Sequence, residues 1–138
     1  MKVKFTIPGE PHGKARPRVV NGHAFTPGNT VEYENLVRLE YQRQCGQQRF
    51  SDDAQLDLRI TAYYAVPKSV SRKKHIAMLE HKIRPTKKPD ADNVVKSIAD
   101  SLNKIAYRDD TQIVDCQIRK FYGEWSRVVV TIQEASTY

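Results

Sequence analysis

KPDADNVVKSIADSLNKIAYRDD, residues 88–110, is the most informative stretch of this 138-residue chain. From Asp92 onward its apolar residues recur at helical spacing, at Val94, Val95, Ile98, Leu102, Ile105 and Ala106. On another side of the same predicted helix, Asp92 and Lys96 form an i,i+4 pair. The pattern predicts one amphipathic helix from Asp92 to Ala106, with acidic residues at both of its ends.

Two interpretations of these acids stay open on the residues alone. In the first, Asp90 or Asp92 caps the helix. The Asp109–Asp110 pair then forms the turn before the next strand, since caps and turns favour aspartate. In the second, three or four carboxylates meet at a hard divalent cation, because Mg²⁺ prefers oxygen ligands and completes its shell with water and phosphate. Lys96, one turn along the helix, would then lie near a phosphate bound at that metal.

The same residues resemble the central motif of the RusA family of Holliday-junction resolvases, metal-dependent nucleases of bacteria and their phages. That motif is a K-P-D-x-D-N box that opens a helix, a lysine four residues after its second Asp, and a D-D pair that leads into a strand. The chain has KPDADN at 88–93, a lysine at 96 and YRDDTQIVD at 107–115. Its GEPHGKARPR at 9–18 is similar to the basic opening loop of that family, whereas residues 30–66 match in pattern alone.

The resemblance implies a Mg²⁺-dependent endodeoxyribonuclease that resolves four-way DNA junctions in recombination and repair. It implies catalytic metal ligands at Asp90, Asp92 and Asp110, and a catalytic role for Lys96. For the third carboxylate the spacing also permits Asp109, and the family motif favours the second Asp of the pair. Bound Mg²⁺ would lower the pKa of a water and neutralise phosphoryl oxygens. Mn²⁺ is expected to substitute for it, and no small-molecule cofactor is expected.

The charge of the chain, formally +7, favours a polyanionic partner. Between Lys68 and Lys88, eight cations face a single acid, Glu80, directly before the carboxylate motif. A solvated surface loop would also have this composition, but the position favours a phosphate-binding approach to the site. The cations of this segment that we expect to bind DNA are Lys73, Lys74, Lys87 and Lys88.

A second basic segment lies near the N-terminus. Residues 9–28 hold seven glycines and prolines, a density that excludes regular structure. Lys14, Arg16 and Arg18 project from this predicted loop, and basic loops of this kind commonly follow phosphates. We therefore expect these three residues to bind DNA as well.

Alternation of apolar and polar residues predicts four strands, at 2–7, 56–66, 111–122 and 127–134. The strand at 56–66, which has the cleanest alternation, is expected to be central, and the last two are expected to form a β-hairpin. Helices are predicted at 29–48, with its tyrosines in the core, and around 70–82. These elements and the motif helix indicate an α/β (α+β) fold: a single domain over residues 1–138, with two main helices on a mixed sheet of about four strands.

A homodimer is expected, because resolution of a four-way junction requires two cuts related by two-fold symmetry. A chain of this size has one carboxylate cluster, C₂ dimers are the commonest oligomers, and the family resemblance implies the same state. Two alternatives stay open. One is a branched-DNA-binding protein that cuts nothing and whose aspartates are caps. The other is a flap or fork nuclease that makes a single nick.

The cysteines and apolar runs bear on location. Cys45 and Cys116 have neither C-x-x-C nor zinc-site spacing and imply no oxidising compartment. No apolar run approaches the roughly 18 residues of a transmembrane helix, and the N-terminus lacks the features of a signal peptide. We expect a cytoplasmic protein with no membrane partner, in a bacterial cell or encoded by a phage.

Overall fold

The computed structural model describes residues 1–14, 18–25 and 28–137. Its elements in chain order are β1 (Lys2–Pro8), β2 (Arg18–Val20), β3 (His23–Phe25), α1 (Gly28–Cys45), β4 (Leu56–Ala65), α2 (Arg72–Leu79), α3 (Ala91–Ser101), a 3₁₀ turn (Asp110–Gln112), β5 (Ile113–Gly123) and β6 (Arg127–Glu134). The described residues thus contain three α-helices and a mixed four-stranded sheet, which confirms the predicted fold class. No helix in these ranges is long and apolar enough to cross a membrane.

The four-stranded sheet has the order β1–β6–β4–β5. β4 runs parallel to β5, and β6 is antiparallel to both β4 and β1. β4 is therefore an inner strand, as its alternation predicted. Its Leu58, Ile60 and Ala62 are buried in the core, whereas Arg59 and Thr61 belong to an open polar face on the other side of the sheet.

β5 and β6 do not form the predicted hairpin, because β4 lies between them. Ala65, at the end of β4, is opposite Gly123 of β5, and β6 begins on the other side of β4. The turn between β5 and β6 passes across this strand end, where the Ser126 hydroxyl accepts a hydrogen bond from the Ala65 N–H (3.1 Å). The prediction was wrong because alternation marks a strand without naming its partner, and the apolar β4 buries more surface as an inner strand.

Residues 18–25 form a small hairpin of β2 and β3, where the Gly/Pro density was expected to exclude regular structure. In its turn, Asn21 and Gly22 both have positive φ, 51° and 78°. A two-residue turn of this kind is type I′, for which Asn-Gly is the preferred sequence. The surrounding glycines and prolines concealed this signal. Of the cations predicted here to bind DNA, Arg16 lies outside the described residues and Arg18 begins β2.

α3 ends at Ser101, about one turn earlier than its apolar stripe predicted. Lys104 has a left-handed backbone (φ 66°), and its N–H donates to the Tyr107 carbonyl over 2.7 Å. Tyr107 is fully buried, and its hydroxyl donates to the Ala99 carbonyl over 2.7 Å. The stripe therefore continues into the core after the helix has ended, since Leu102 and Ala106 are also buried. Burial periodicity alone overestimated the length of the helix.

α1 packs against β1 and α3, and its tyrosines lie in the core as predicted. Tyr41 is fully buried and meets Phe5 edge-on, with ring centroids 5.3 Å apart. α3 buries Val94 and Ile98 against the same core. Truncation of a fully buried side chain such as Ile98 to alanine costs about 2–5 kcal/mol. This packing holds α3 in place and positions the acids at its two ends.

Candidate active site

The N-terminus of α3 presents Asp90 without using its carboxylate as a cap. Asp90 occupies the N-cap position with an extended backbone (φ −71°, ψ 162°), and its side chain makes no capping hydrogen bond. Its carbonyl accepts a hydrogen bond from the Val94 N–H at 3.1 Å. The side chain is exposed, and a negative charge at this position is favoured by the helix dipole. The capping interpretation of this acid therefore lacks its defining hydrogen bond.

Two residues of the sheet lie beside Asp90. The Tyr64 hydroxyl donates to the Pro89 carbonyl (3.0 Å), and burial, with a smaller effect from the charge of Asp90, raises the pKa of Tyr64 to about 12. The Lys120 ammonium donates to the Lys87 carbonyl (2.6 Å) and lies 5.2 Å from the centre of the Tyr64 ring. Burial lowers the pKa of Lys120, and the charge of Asp90 opposes that shift. Two side chains thus hold the backbone that leads into the motif.

Lys120 was not identified from the sequence. It lies on β5 opposite Ala62 of β4, and it is only partly exposed. From the sequence alone, a lysine that follows Arg119 in a predicted strand is interpreted as an ordinary surface cation. Only the parallel pairing of β5 with β4 brings its ammonium next to the motif, and no local signal reports that pairing.

Asp92 and Lys96 lie on the exposed side of α3, whereas Val94, Ser97 and Ile98 between and beyond them are buried. The side chains of residues four apart on a helix are neighbours. The helix therefore presents a carboxylate and an ammonium together to solvent, where an approaching phosphate would meet both.

The two aspartates after α3 differ in local role. Asp109 caps the 3₁₀ turn: its carboxylate accepts from the Thr111 N–H (3.0 Å), and it forms a capping box with Gln112. The hydrogen bonds to Thr111 lower the pKa of Asp109. Asp110 instead has its carboxyl group next to that of Asp100, in the last turn of α3. Burial raises the pKa of Asp110, and the neighbouring Asp100 raises it further.

Asp100 was not among the predicted site residues. Its carboxylate accepts from the Lys14 ammonium at 2.5 Å, and that ammonium also lies 3.8 Å from the Glu34 carboxylate of α1. The hydrogen bond to Asp100 raises the pKa of Lys14. Lys14, predicted to bind DNA, is therefore ion-paired within the protein. Helical spacing could have indicated Asp100, because it follows Lys96 by four residues and Asp92 by eight.

The motif asparagine holds the N-terminal loop against α3. Asn93 Oδ1 accepts a hydrogen bond from the Lys14 N–H (3.1 Å). Gly13 packs so closely here that a Cβ at this position would collide with the Asn93 amide. The loop and the motif together line an open cleft of about 380 Å³ that includes Lys88 and Asp90.

The predicted metal ligands are not assembled at one point. Asp90 and Asp92 lie at the start of α3, whereas Asp110 lies beside Asp100, about 12 Å along the helix from Asp92 at 1.5 Å per residue. Within 1–14, 18–25 and 28–137, no three His, Cys, Asp or Glu side chains stand close enough to hold a metal ion. The Asp100–Asp110 pair is a donor set that fits a hard cation, because Mg²⁺ takes carboxylate oxygens and would relieve their repulsion.

The predicted DNA-binding cations of the segment before the motif are exposed. Lys73 and Lys74 lie on α2, and Lys87 and Lys88 directly precede Pro89. The Lys87 ammonium lies 5.7 Å from the ring centre of Tyr64. The basic segment thus leads along the protein surface to the N-terminus of α3.

Comparison with known proteins covers nearly the whole chain. The family model described as endodeoxyribonuclease RusA matches residues 8–133. The chain is also 38% identical over 140 residues to the uncharacterized protein YqaN of Bacillus subtilis (strain 168), and the alignment covers 97% of each protein. The range matched by the family contains every site residue described above.

Proposed function

The chain belongs to the RusA family of endodeoxyribonucleases, and from this premise we propose that it cuts branched DNA, in particular four-way junctions, by Mg²⁺-dependent phosphodiester hydrolysis. The observation that carries the proposal is that two of the motif acids, Asp90 and Asp110, are kept out of capping roles. Asp90 makes no capping hydrogen bond, and the turn after α3 is capped by Asp109, which leaves Asp110 directed at α3. Acids whose only role was to cap a helix or a turn would make capping hydrogen bonds with their side chains.

Each polar residue of the site has a chemical role in this proposal. Asp90 and Asp92 at one end of α3, and Asp110 with Asp100 at the other, would hold separate Mg²⁺ ions, or Mn²⁺ in their place, which when bound would lower the pKa of a water and neutralise phosphoryl oxygens. Lys96, exposed on the same side of α3 as Asp92, stabilises negative charge on the scissile phosphate. Asp100, held by Lys14, positions the Asp110 carboxylate.

The basic segment supplies the approach for DNA. Lys73, Lys74, Lys87 and Lys88 are exposed and lead to the start of α3. Their charges would bind backbone phosphates and release counterions, with no need for a particular base sequence. This suits an enzyme that recognises the shape of a branch.

We also propose that the enzyme acts as a homodimer. A four-way junction has two-fold symmetry, and its resolution needs two incisions on strands of like polarity. A C₂ dimer presents two identical sites related by the same symmetry. A monomer would have to dissociate and rebind between the two incisions.

Incubation of the purified protein with an end-labelled four-way junction and a matched linear duplex, with and without Mg²⁺, tests the function. We expect paired, symmetric incisions in the junction only when Mg²⁺ is present. Tight junction binding with no cleavage in Mg²⁺ or Mn²⁺ would identify a non-catalytic branched-DNA-binding protein. A single nick, made equally well in a fork or a flap, would identify a fork nuclease.

A further inference from the structure

Trp125 is an exposed aromatic residue in a turn that borders the candidate active site. It lies in the turn between β5 and β6, with 62% of its surface exposed, and it is the only tryptophan in the sequence. The next residue, Ser126, bonds the end of β4 and lines a cleft of about 170 Å³ together with Tyr64, Lys88 and Pro89. The turn that carries Trp125 therefore adjoins the start of the motif, and the proposed hydrolysis makes no use of the indole.

A stack of rings and a guanidinium group supports the indole. The Arg127 guanidinium carbon lies 4.7 Å from the centre of the Trp125 ring and 3.8 Å from that of Tyr63. Tyr63 neighbours Phe121 at 6.2 Å, and His81 stacks on Phe121 at 4.2 Å. Arg127 also donates to the Trp125 carbonyl over 3.2 Å. These contacts hold the turn in place from one side, and the large exposed fraction of the indole is available to a ligand.

The charges around the stack favour a polyanion. Arg84 lies 4.3 Å from the Phe121 ring centre, Arg127 lies within the stack, and Lys87 and Lys88 line the cleft that Ser126 borders. Glu124 is the acid next to Trp125 in the turn. Aromatic rings interleaved with cations are typical of single-stranded nucleic-acid sites, where bases stack on the rings and cations bind the backbone.

Only some DNA structures can use such a site. In a continuous duplex, both faces of each base are covered by its neighbours, and an indole would have to unstack a base pair before it could bind. At a branch point, stacking is already interrupted and a base is available. We propose that Trp125 is a stacking platform for an unpaired or unstacked base at the branch point, and that it makes the enzyme select branched over linear DNA. This inference rests on the proposed function for its substrate class.

The single tryptophan allows a direct test, because fluorescence excited beyond tyrosine absorption reports on Trp125 alone. We would titrate the wild-type protein, in EDTA so that no DNA is cut, with a four-way junction, a single strand and a linear duplex. We expect quenching by the junction and the single strand and little change with the duplex, since base stacking quenches indole emission. Equal quenching by the duplex, or no quenching by the junction at saturation, would overturn the proposal.

Variants of Trp125 test whether base stacking determines the preference for branched over linear DNA. Trp125→Ala should weaken binding to the junction about tenfold, within the range of one base–aromatic stack, and should leave binding to linear duplex within about twofold. Trp125→Phe should restore most of the loss. Leu39→Ala, at an equally accessible apolar residue of α1 (58% exposed), is the matched control and should change neither affinity. An equal loss on junction and duplex would show that Trp125 contributes no selectivity and would overturn the proposal.

The two proposals fail separately. If single strands and junctions quench the Trp125 fluorescence of the wild-type protein but the protein never cuts a junction in Mg²⁺ or Mn²⁺, the result supports the stacking platform and contradicts the nuclease function. If the protein cuts junctions and the Trp125→Ala variant binds and cuts them like wild type, the result supports the nuclease function and contradicts the stacking platform.

Discussion

The carboxyl group of Asp110 lies close to that of Asp100, which accepts a hydrogen bond from the ammonium of Lys14. Two carboxylates so close together repel each other unless a proton or a cation lies between them. Lys14 supplies one positive charge from the N-terminal loop, and the pKa of Asp110 still remains raised. A further cation at this end of α3 would therefore be stabilised by both acids.

The first prediction compares the two adjacent aspartates. Asp110→Asn should reduce junction cleavage about 100-fold or more, because it removes a charged metal ligand with little change of shape. Asp109→Asn is the matched control: asparagine caps as well as aspartate, so cleavage should stay within a few fold of wild type. Single-turnover cleavage in Mg²⁺ measures both. If Asp109→Asn were inactive and Asp110→Asn active, the third ligand would be Asp109.

The second prediction concerns the start of α3. Asp90→Asn and Asp92→Asn should each abolish cleavage while junction binding stays unchanged or becomes tighter, because each change also reduces repulsion towards DNA phosphates. Gel-shift binding and cleavage are measured on the same junction. Asp53→Asn, an exposed acid near the start of β4, makes the same charge change and should leave cleavage intact. If Asp90→Asn or Asp92→Asn cleaved the junction like wild type, that acid would have no catalytic role and would only interact favourably with the helix dipole.

The third prediction assigns Lys120 as a positioning residue. Its ammonium holds the Lys87 carbonyl, so Lys120→Met should free the backbone before Asp90 and lower kcat about 10–100-fold. Affinity for the junction should change little, because the ammonium is only partly exposed. Lys120→Arg, which can still donate to that carbonyl, should recover part of kcat. A rise in KM with kcat unchanged would instead identify Lys120 as a DNA-binding residue.

The fourth prediction concerns salt dependence. Neutralising Lys73, Lys74, Lys87 and Lys88 to glutamine should weaken binding to every DNA and flatten the plot of log Kd against log salt. The slope should fall by up to about 0.9 for each lost phosphate contact.

The control for this variant makes the same charge change elsewhere, at the exposed residues Lys2, Lys4, Arg43 and Arg49. Two of these are ion-paired, with Glu40 and Asp52. We expect the control to keep most of the wild-type slope. Equal slopes for the two variants would show that the basic segment is solvated surface with no specific contact to phosphates.

The fifth prediction is the homodimer. Light scattering at micromolar concentration should give twice the chain mass of 15.9 kDa, with and without junction DNA. The two incisions should then occur within the lifetime of one complex, which a cruciform plasmid reports as linear rather than nicked product. A monomer mass that persists on junction DNA would contradict paired incision and favour the single-nick alternative.

Much of the fold and of the site followed from local pattern. The central strand β4, the buried tyrosines of α1 and the motif helix were predicted, since burial on one side imposes a period of two or about 3.6 residues on the chain. The different roles of Asp109 and Asp110 were not predicted, because the spacing permits either residue to cap the turn. The Asn21–Gly22 hairpin was available to local reasoning and was missed among the surrounding glycines and prolines.

What the amino-acid sequence by itself determined is the set of local elements and the motif Asp90, Asp92, Lys96, because these depend on residues a few positions apart. Tertiary structure alone decided that β4 lies between β5 and β6, and that Lys120 and Lys14 reach opposite ends of α3. Those contacts join residues that are distant in the chain, and no periodicity encodes them. They depend on which strand gains most from burial on both sides, and this is determined by the packing of the whole core.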